Sequence, residues 1–446
     1  MSAHFAPLST PLAESLSACQ HGDRLMLCGP YPPASEFKAW LSDAPGWDVK
    51  ISKARSSGVC EATYTRDTTR VRVTSAASWF GDEPMSPEAA RRRLSQLAGT
   101  LNAAFRREGR LPLVTPAVTG LTLWRETAGE QYPPLPEAIQ TLIRATCGQG
   151  REELLWTRQG SGVRGQGSGL SPAPTLTPDP WPLTPDLIPG FVYLDMRLAY
   201  ASFCENLPCG PVVHDAEPAM PWHGRVRAVV TVPRDWTGPG LLPLKTPFLS
   251  PCFPRRGQFE SWLDAREARL AAAQGWGVDV RERLVMTEGR PLNTWSRRLI
   301  RVMADYESRG DAAGARAVRA ILLQSIGDLH GRGRAALRVF RHADGTREEK
   351  AFAPWSRGGP LSHPEWSAAI WARCRYRLAK ALLSVPRETL LGCCVDALYL
   401  TADPGWAETG KVGEFRVKGR LSGPLPAPRT LSDLHRLADE ARDGGG

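Results

Sequence analysis

Phe191-Val-Tyr-Leu-Asp-Met-Arg-Leu-Ala-Tyr-Ala-Ser202 opens on four apolar, β-prone residues and then sets a carboxylate, Asp195, at the end of the run. A second stretch of this kind, Leu391-Gly-Cys-Cys-Val-Asp-Ala-Leu-Tyr-Leu-Thr401, places Asp396 inside what reads as a buried strand. A carboxylate in a buried strand is costly unless it is paired or bound to a cation. Two of them on separate strands can converge on one ion, and their oxygens suit Mg²⁺. Nucleotidyl transfer needs that arrangement, with one metal activating the attacking hydroxyl and another neutralising the leaving pyrophosphate. The residues alone equally fit a strand cap or a salt-bridged structural pair.

Outward from these stretches, end signals divide the chain into elements. Arg70-Val-Arg-Val-Thr74 alternates as a strand, and Ser86-Pro-Glu88 opens a helix striped by Leu94, Leu97, Leu101 and Phe105 and closed by Gly109. A second helix is expected from about 136 to 148. Residues 158–190 are rich in Gly, Ser and Pro and read as a linker. A strand is expected over 225–232, then helices over 258–273, 294–309 and 312–326, the last two forming a hairpin across Gly310-Asp311. Residues 331–361 read as a strand pair or insertion. Ser362-His-Pro-Glu365 has capping-box spacing and opens a helix that Pro386 ends. One strand is expected over 391–401, making a hairpin through ADPGWAETG with a second near 412–418, and a short helix lies over 431–442.

Length and charge bound the function. The chain has 446 residues, enough for two or three domains, and a net charge of +10, which favours a polyanionic partner. Of 56 basic residues only eight are lysine, a bias that genome composition alone can produce. No apolar run is long enough to span a membrane and the start has no secretory signal, so a cytoplasmic protein of a bacterial or phage-infected cell, with its ten cysteines reduced, is expected. Cys204, Cys209, His214 and His223 match no usual zinc spacing, and prolines interrupt them.

The order of these elements resembles the family B DNA polymerases, most closely the protein-primed branch of phages and linear replicons. The palm motif D-x-x-S-L-Y-P-S stands here as Asp195-Met-Arg-Leu-Ala-Tyr200-Ala-Ser202, with Leu198, Ala199 and Ala201 as departures. The fingers motif K-x-x-x-N-S-x-Y-G is matched by Arg319-Ala-Ile-Leu-Leu-Gln-Ser-Ile-Gly327, where Leu323 and Ile326 replace Asn and Tyr. The motif Y-x-D-T-D-S puts Asp396 at its second, metal-binding aspartate and Cys394 at the first. Gly413-Glu-Phe-Arg-Val-Lys418 resembles the strand that grips the primer.

The resemblance covers about 190–420 and implies an α+β fold: a right-hand palm of antiparallel sheet with helices, helical fingers, and a preceding ribonuclease-H-like exonuclease-type domain. It divides the chain into a degenerate exonuclease-like domain (1–157), the linker (158–190), palm (191–290), fingers (291–330), palm again (331–420) and a reduced thumb or tail (421–446). It implies a DNA-directed DNA polymerase extending a primer 3′-hydroxyl, which a protein can supply, by two-metal-ion transfer. Asp195 and Asp396 would be the catalytic, metal-binding residues for Mg²⁺ or Mn²⁺. Tyr200, Arg319 and Arg316 would take the nucleotide, and Arg416 and Lys418 the primer. Partners would be primer-template DNA, deoxynucleoside triphosphates and a terminal or accessory replication protein, with no membrane. Neither D-x-E on a strand nor Y-x-x-x-D on a helix occurs in the first domain, Asp82 and Glu83 read as loop residues, and 116–124 and 148–151 read as connections, so proofreading is not expected. The lost motif residues equally suit a catalytically inactive, nucleic-acid-binding protein of this fold. A basic structural or regulatory protein without polymerase ancestry is the remaining alternative.

Overall fold

The computed structural model describes residues 2–54, 60–81, 83–109, 111–128, 131–155, 186–245, 251–331, 336–341, 347–352 and 361–443. Most of the linker and Asp82 therefore lie outside the described residues. The chain divides into two compact units, each built from two separate stretches: Met1–Pro133 with Leu292–Ser362, and Pro134–Pro291 with His363–Gly446.

The first unit is built on a seven-stranded sheet. Its strands are β1 (Ala3–Pro7), β2 (Arg24–Cys28), β3 (Asp48–Ala54), β4 (Cys60–Arg66), β5 (Thr69–Ser75), β12 (Ala336–Arg341) and β13 (Arg347–Phe352), in the order β1-β2-β5-β4-β3-β12-β13. β1, β2 and β5 run parallel, and β5, β4 and β3 form an antiparallel meander. Residues 331–361 thus supply a strand pair, and it extends the sheet of the first unit through Phe340 opposite Lys50. Helices α1 (Leu12–Ser17), α2 (Ala34–Ser42) and α3 (Ala77–Phe80) accompany the sheet. Phe37, Leu41, Trp47, Tyr64, Val71 and Val73 are buried in its core.

Four longer helices complete this unit: α4 (Pro87–Phe105), α5 (Pro116–Ala128), α9 (Asn293–Ser308) and α10 (Ala312–Leu329). The Ser86 hydroxyl accepts from Ala89 N–H as the sequence predicts. Residues 116–124, read as a connection, are instead the start of α5. Thr115 caps the helix by accepting from Val118 N–H at 3.3 Å with Pro116 in its first turn, and α5 packs closely on α10, since a Cβ on Gly120 would fall 1.9 Å from Ser325 Oγ. The indole Nε1 of Trp295 donates to the Gly120 carbonyl at 2.9 Å.

The second unit holds two sheets. Four strands run in the order β10-β9-β11-β8: β8 (Leu207–Asp215), β9 (Gly224–Thr231), β10 (Gln258–Asp264) and β11 (Gly277–Gly289). The helix expected over 258–273 is therefore wrong in its first half. Phe259, Ser261 and Leu263 are buried alternately in β10, and Asp264 caps α8 (Ala265–Ala273) by accepting from Arg266 N–H.

The other sheet has five strands in the order β16-β7-β15-β14-β6, all neighbours antiparallel: β6 (Glu152–Leu154), β7 (Leu187–Met196), β14 (Leu390–Cys394), β15 (Ala397–Leu400) and β16 (Phe415–Pro426). Val192, Leu194, Leu398 and Leu400 meet Leu378 and Leu382 of α11 (Pro364–Ser384). Phe191, Ala397 and Tyr399 meet Leu434, Leu437 and Ala441 of α12 (Leu431–Asp443) on the alternate face, so the sheet is sandwiched as period-two burial requires. α6 (Glu137–Thr146) and α7 (Ala199–Ser202) complete the unit. Residues from Pro134, grouped by sequence with the first domain, contribute α6 and β6 here.

Two expectations about 391–418 fail together. The strand over 391–401 breaks at Val395-Asp396 into the hairpin β14–β15, and β16 pairs with β7 on its other side instead of with β15. Long-range pairing with β7 decides this, and no local turn signal carries it. No described helix is long and apolar enough to cross a membrane.

Candidate active site

β7, between β16 and β15, is the strand around which the candidate residues assemble. Asp195 lies opposite Ala397 on β15 and opposite Arg416 on β16. Asp396 sits one register step away, and its carbonyl accepts from Met196 N–H at 3.0 Å. Directly opposed Cα atoms in an antiparallel pair are about 5 Å apart, so the two aspartates are close at the backbone. Asp195 is 7% exposed, and Asp396 is half-buried. Their charges act on the same neighbours. Burial first, then Asp195 and Asp396, push the Tyr193 phenol up to about 12. Burial, Asp396 and Asp195 also raise the Cys374 thiol, against an opposing pull from Arg375.

The backbone is strained beside Asp396 and again three residues after Asp195. Only four described residues other than glycine have positive φ, and two are Leu198, at 50°, and Val395, at 58°. Left-handed backbone costs about 1–2 kcal/mol for an L-residue, and a β-branched side chain makes it rarer still. Val395 occupies the first position of a two-residue hairpin turn, where glycine is usual. The turn releases Asp396 from the pleat alternation that would otherwise set it on the face opposite Asp195.

Neighbouring residues hold both strained segments. Val395 N–H donates to the Arg151 carbonyl at 2.6 Å, and Cys374 Sγ donates to the Val395 carbonyl at 3.5 Å. Gly150 leaves room for the valine, because a Cβ there would lie 2.9 Å from Val395 Cγ2. Behind this contact, Arg375 of α11 donates to the carbonyls of Gly148 and Gln149 at 2.8 and 2.6 Å and pairs through two 2.8 Å bonds with Glu267 of α8. On the other side, Arg197 N–H donates to the Glu414 carbonyl at 3.0 Å, and Gly413 N–H to the Arg197 carbonyl at 2.7 Å. Sequence reading missed Arg375, Glu267, Cys374 and the 148–151 segment. The buried charge in the α11 sequence RCRYR was the available signal.

The cations fall in two groups. Lys418 and Arg416 lie on β16 beside Asp195. A register shift leaves Lys418 as an extra, bulged residue, and its Nζ reaches within 3.7 Å of Asp195 Oδ2. Arg416 Nε is buried and has no hydrogen-bond partner among the described residues. Tyr200 on α7 is packed with Leu284, Met286 and Trp371, and with Met196 and Cys374. Burial first, then Cys374 and Asp396, raise its phenol.

Arg319 and Arg316 lie on α10 of the first unit. Arg319 is half-buried and makes no hydrogen bond or ion pair among the described residues. Arg316 is committed: its Nε donates to the Phe80 carbonyl at 2.8 Å and its Nη2 pairs with Glu83 at 2.9 Å.

The donor set suits a hard cation. Asp195 already faces an ammonium, and Mg²⁺ is commonly held by one or two carboxylates with water and substrate phosphate completing its shell. No group of three or more His, Cys, Asp or Glu able to hold a metal occurs among the described residues. Cys204 and Cys209 donate to the carbonyls of Tyr200 and Leu207, and His214 and His223 face Glu282 and Glu288.

No family model matches the sequence, and no curated protein matches it significantly. Among solved structures, the chain is similar to Phi29 DNA polymerase complexed with primer-template DNA and incoming nucleotide substrates. That similarity has a TM-score of 0.60 and 10% identity and spans 92% of this chain and 78% of that one. Phi29 DNA polymerase complexed with single-stranded DNA gives a TM-score of 0.56 at 11% identity, over 92% and 78% of the two chains. An orthorhombic crystal form of the enzyme gives 0.57 at 11%, over 89% and 76%. The chain therefore has a mixed α+β, polymerase-like fold.

Proposed function

We propose that the chain is a DNA-directed DNA polymerase that adds deoxynucleotides to a primer 3′-hydroxyl, protein-borne or nucleic-acid-borne, without proofreading. The observation that carries this reading is the approach of Asp195 at the end of β7 and Asp396 in the β14–β15 turn of a polymerase-like fold, with left-handed backbone at Val395 beside Asp396 and at Leu198 three residues after Asp195. Strain of this kind persists where the surrounding structure enforces it, and it clusters at functional sites.

In this reading the five-stranded sheet with α11 is the palm, α9 and α10 are the fingers, and the sheet of the first unit is a degenerate exonuclease-like domain. Asp195 and Asp396 would hold Mg²⁺ or Mn²⁺. The bound ions would favour ionisation of the 3′-hydroxyl and offset charge on the leaving pyrophosphate. Lys418, which faces Asp195 without metal, would turn with Arg416 toward the primer strand, where the unpartnered Arg416 Nε gains an acceptor. The Tyr200 ring would floor the sugar and exclude a 2′-hydroxyl. Its hydrocarbon packing suits a steric role and its raised phenol does not suit a base. Arg319, uncommitted on α10, takes the triphosphate by its place in the fingers motif. Arg316 holds α10 to Phe80 and Glu83 instead. Primer-template DNA, deoxynucleoside triphosphates and a terminal or accessory protein are the partners.

Primer extension with Mg²⁺ or Mn²⁺ tests the reading. Wild type should extend, and Asp195→Asn and Asp396→Asn should each lose at least about 100-fold in rate while still binding primer-template. Equal extension by either variant would refute the assignment. A second reading, a catalytically inactive nucleic-acid-binding protein, is favoured by Cys394 at the first aspartate position and by the Lys418–Asp195 pair. It predicts binding without extension by the wild type.

A further inference from the structure

Trp222 is the most exposed large apolar side chain among the described residues, at 80%, whereas Trp47, Trp79, Trp124, Trp295 and Trp366 are fully buried. It stands between β8 and β9 in a segment that is fixed on both sides. Met220 packs against the core of the four-stranded sheet, and Pro221 is buried. Arg269 of α8 donates to the carbonyl of Pro221 and, at 3.0 Å, to that of Trp222. His223 pairs with Glu288 at 2.8 Å, and its carbonyl accepts from Met286 N–H at 3.2 Å. Gly224 then enters β9 at a φ of 127° with no room for a Cβ, which would lie 1.8 Å from the Leu284 carbonyl oxygen. The backbone that carries the indole is thus held in place, which lowers the ordering cost of a ligand that stacks on the ring.

The surroundings of the ring are cationic. The Arg269 guanidinium lies 5.2 Å from the ring centroid. Arg266 is near enough to Arg269 and to Arg373 to disfavour the charge on each. Burial first, then Arg266, draws Arg373 down to about 10, and burial, with Arg266 adding to it, lowers Arg269. Asp264 opposes both shifts, and Glu288 opposes that of Arg373. An exposed aromatic ring with one guanidinium against it and a second arginine near that guanidinium suits a nucleobase with its phosphate. Base–aromatic stacking with an arginine alongside is a recurring arrangement in single-strand binding.

We propose that Trp222 is a stacking platform for an unpaired base of single-stranded nucleic acid, with Arg266 and Arg269 drawing its backbone in. The platform depends on nucleic-acid binding by the chain and not on the two-aspartate site, so a loss of one leaves the other measurable.

The test uses the full chain and a fluorescein-labelled oligothymidylate, read by anisotropy at fixed salt. Trp222→Ala should weaken binding roughly 5- to 150-fold, the range for loss of one stacked base, and Trp222→Phe should retain most of the affinity. The difference in tryptophan emission between wild type and Trp222→Phe should be quenched by the oligonucleotide. Unchanged affinity of Trp222→Ala together with no quenching would overturn the platform while leaving the polymerase reading intact. Concentration-dependent self-association of wild type that Trp222→Ala abolishes, with oligonucleotide affinity unchanged, would assign the indole to a second copy of the chain instead. Absence of any oligonucleotide binding would overturn the platform outright.

Discussion

Replacing Glu267 by Ala removes the carboxylate that faces Arg375 and leaves a guanidinium stranded in the second unit. Arg375 and Glu267 are 5% and 2% exposed, so water cannot take over the lost contacts. Two charge-assisted bonds of 2.8 Å disappear, each contributing about 1.5–3 kcal/mol. Breaking one partner of a buried pair generally costs about 3–5 kcal/mol, and we expect a loss in that range. The Gly148 and Gln149 carbonyls keep part of the guanidinium satisfied, which favours the lower end. Urea unfolding gives the loss. Hydrogen exchange, read by peptide, should speed up in β6, β14 and β15 while the sheet of the first unit keeps its protection. Glu267→Gln should cost less, and the double variant Glu267→Leu with Arg375→Leu should cost about 2–3 kcal/mol less than the two single changes summed. Because Arg375 orders the segment whose Arg151 carbonyl holds Val395, Glu267→Ala should also lower primer extension under native conditions. A stability loss below about 1 kcal/mol, or loosening confined to the first unit, would refute the support chain drawn from α8 to the Asp396 turn.

Gly120→Ala should destabilise the first unit by about 1–3 kcal/mol through its clash with Ser325, and Ser325→Ala should rescue part of that in urea unfolding. Arg319→Ala should raise the KM for deoxynucleotide at least about tenfold with stability within about 0.5 kcal/mol. Arg316→Ala should instead cost about 1 kcal/mol of stability, since it loses the Phe80 carbonyl. Asp23 accepts from Ser2 N–H at 2.6 Å, Gln20 N–H at 3.0 Å and His4 at 3.0 Å. The two backbone donors lead in holding its carboxyl down to about 2, with burial opposing them. A lowered folded pKa gives stability that is full above the unfolded value near 3.9 and fades as pH falls toward 2. Asp23→Asn should therefore lose up to about 2 kcal/mol at pH 6 and converge with wild type near pH 2 in acid titrations of unfolding.

What was legible in the sequence is what local chemistry dictates. The Ser86 cap and the apolar stripe of α4 and the Gly310-Asp311 turn between α9 and α10 mark their helices, because caps and 3.6-residue periodicity act within a few residues. Asp195 stood out because a carboxylate in an apolar strand needs a reason, and it lies in β7 as read, whereas Asp396, read the same way, lies in the turn between β14 and β15. Illegible were features set by distant partners. β10 read as helix because it runs straight into α8, although the alternation of Phe259, Ser261 and Leu263 and the capping Asp264 were present. The Val395-Asp396 turn contains no Gly, Asn or Pro, and its left-handed backbone is imposed by Arg151 and Cys374 from elsewhere in the chain. The Lys418 approach to Asp195 depends on a bulge whose one local sign, Gly419, does not say which side chain it turns toward the aspartate.

The interleaving of the two units bears on how the protein is made. The sheet of the first unit is closed on one side by β12 and β13, and its helical layer by α9 and α10, all encoded after the entire first stretch of the second unit. At about 5–20 residues per second, a ribosome needs roughly 10–45 s to pass from residue 134 to 362. For that interval β3 waits with an unpaired edge, and α5 waits with its Gly120 groove open. A nascent chain in this state offers its strand edge to any neighbour, so slower translation of 134–362 should raise aggregation more than slower translation of any other stretch of that length.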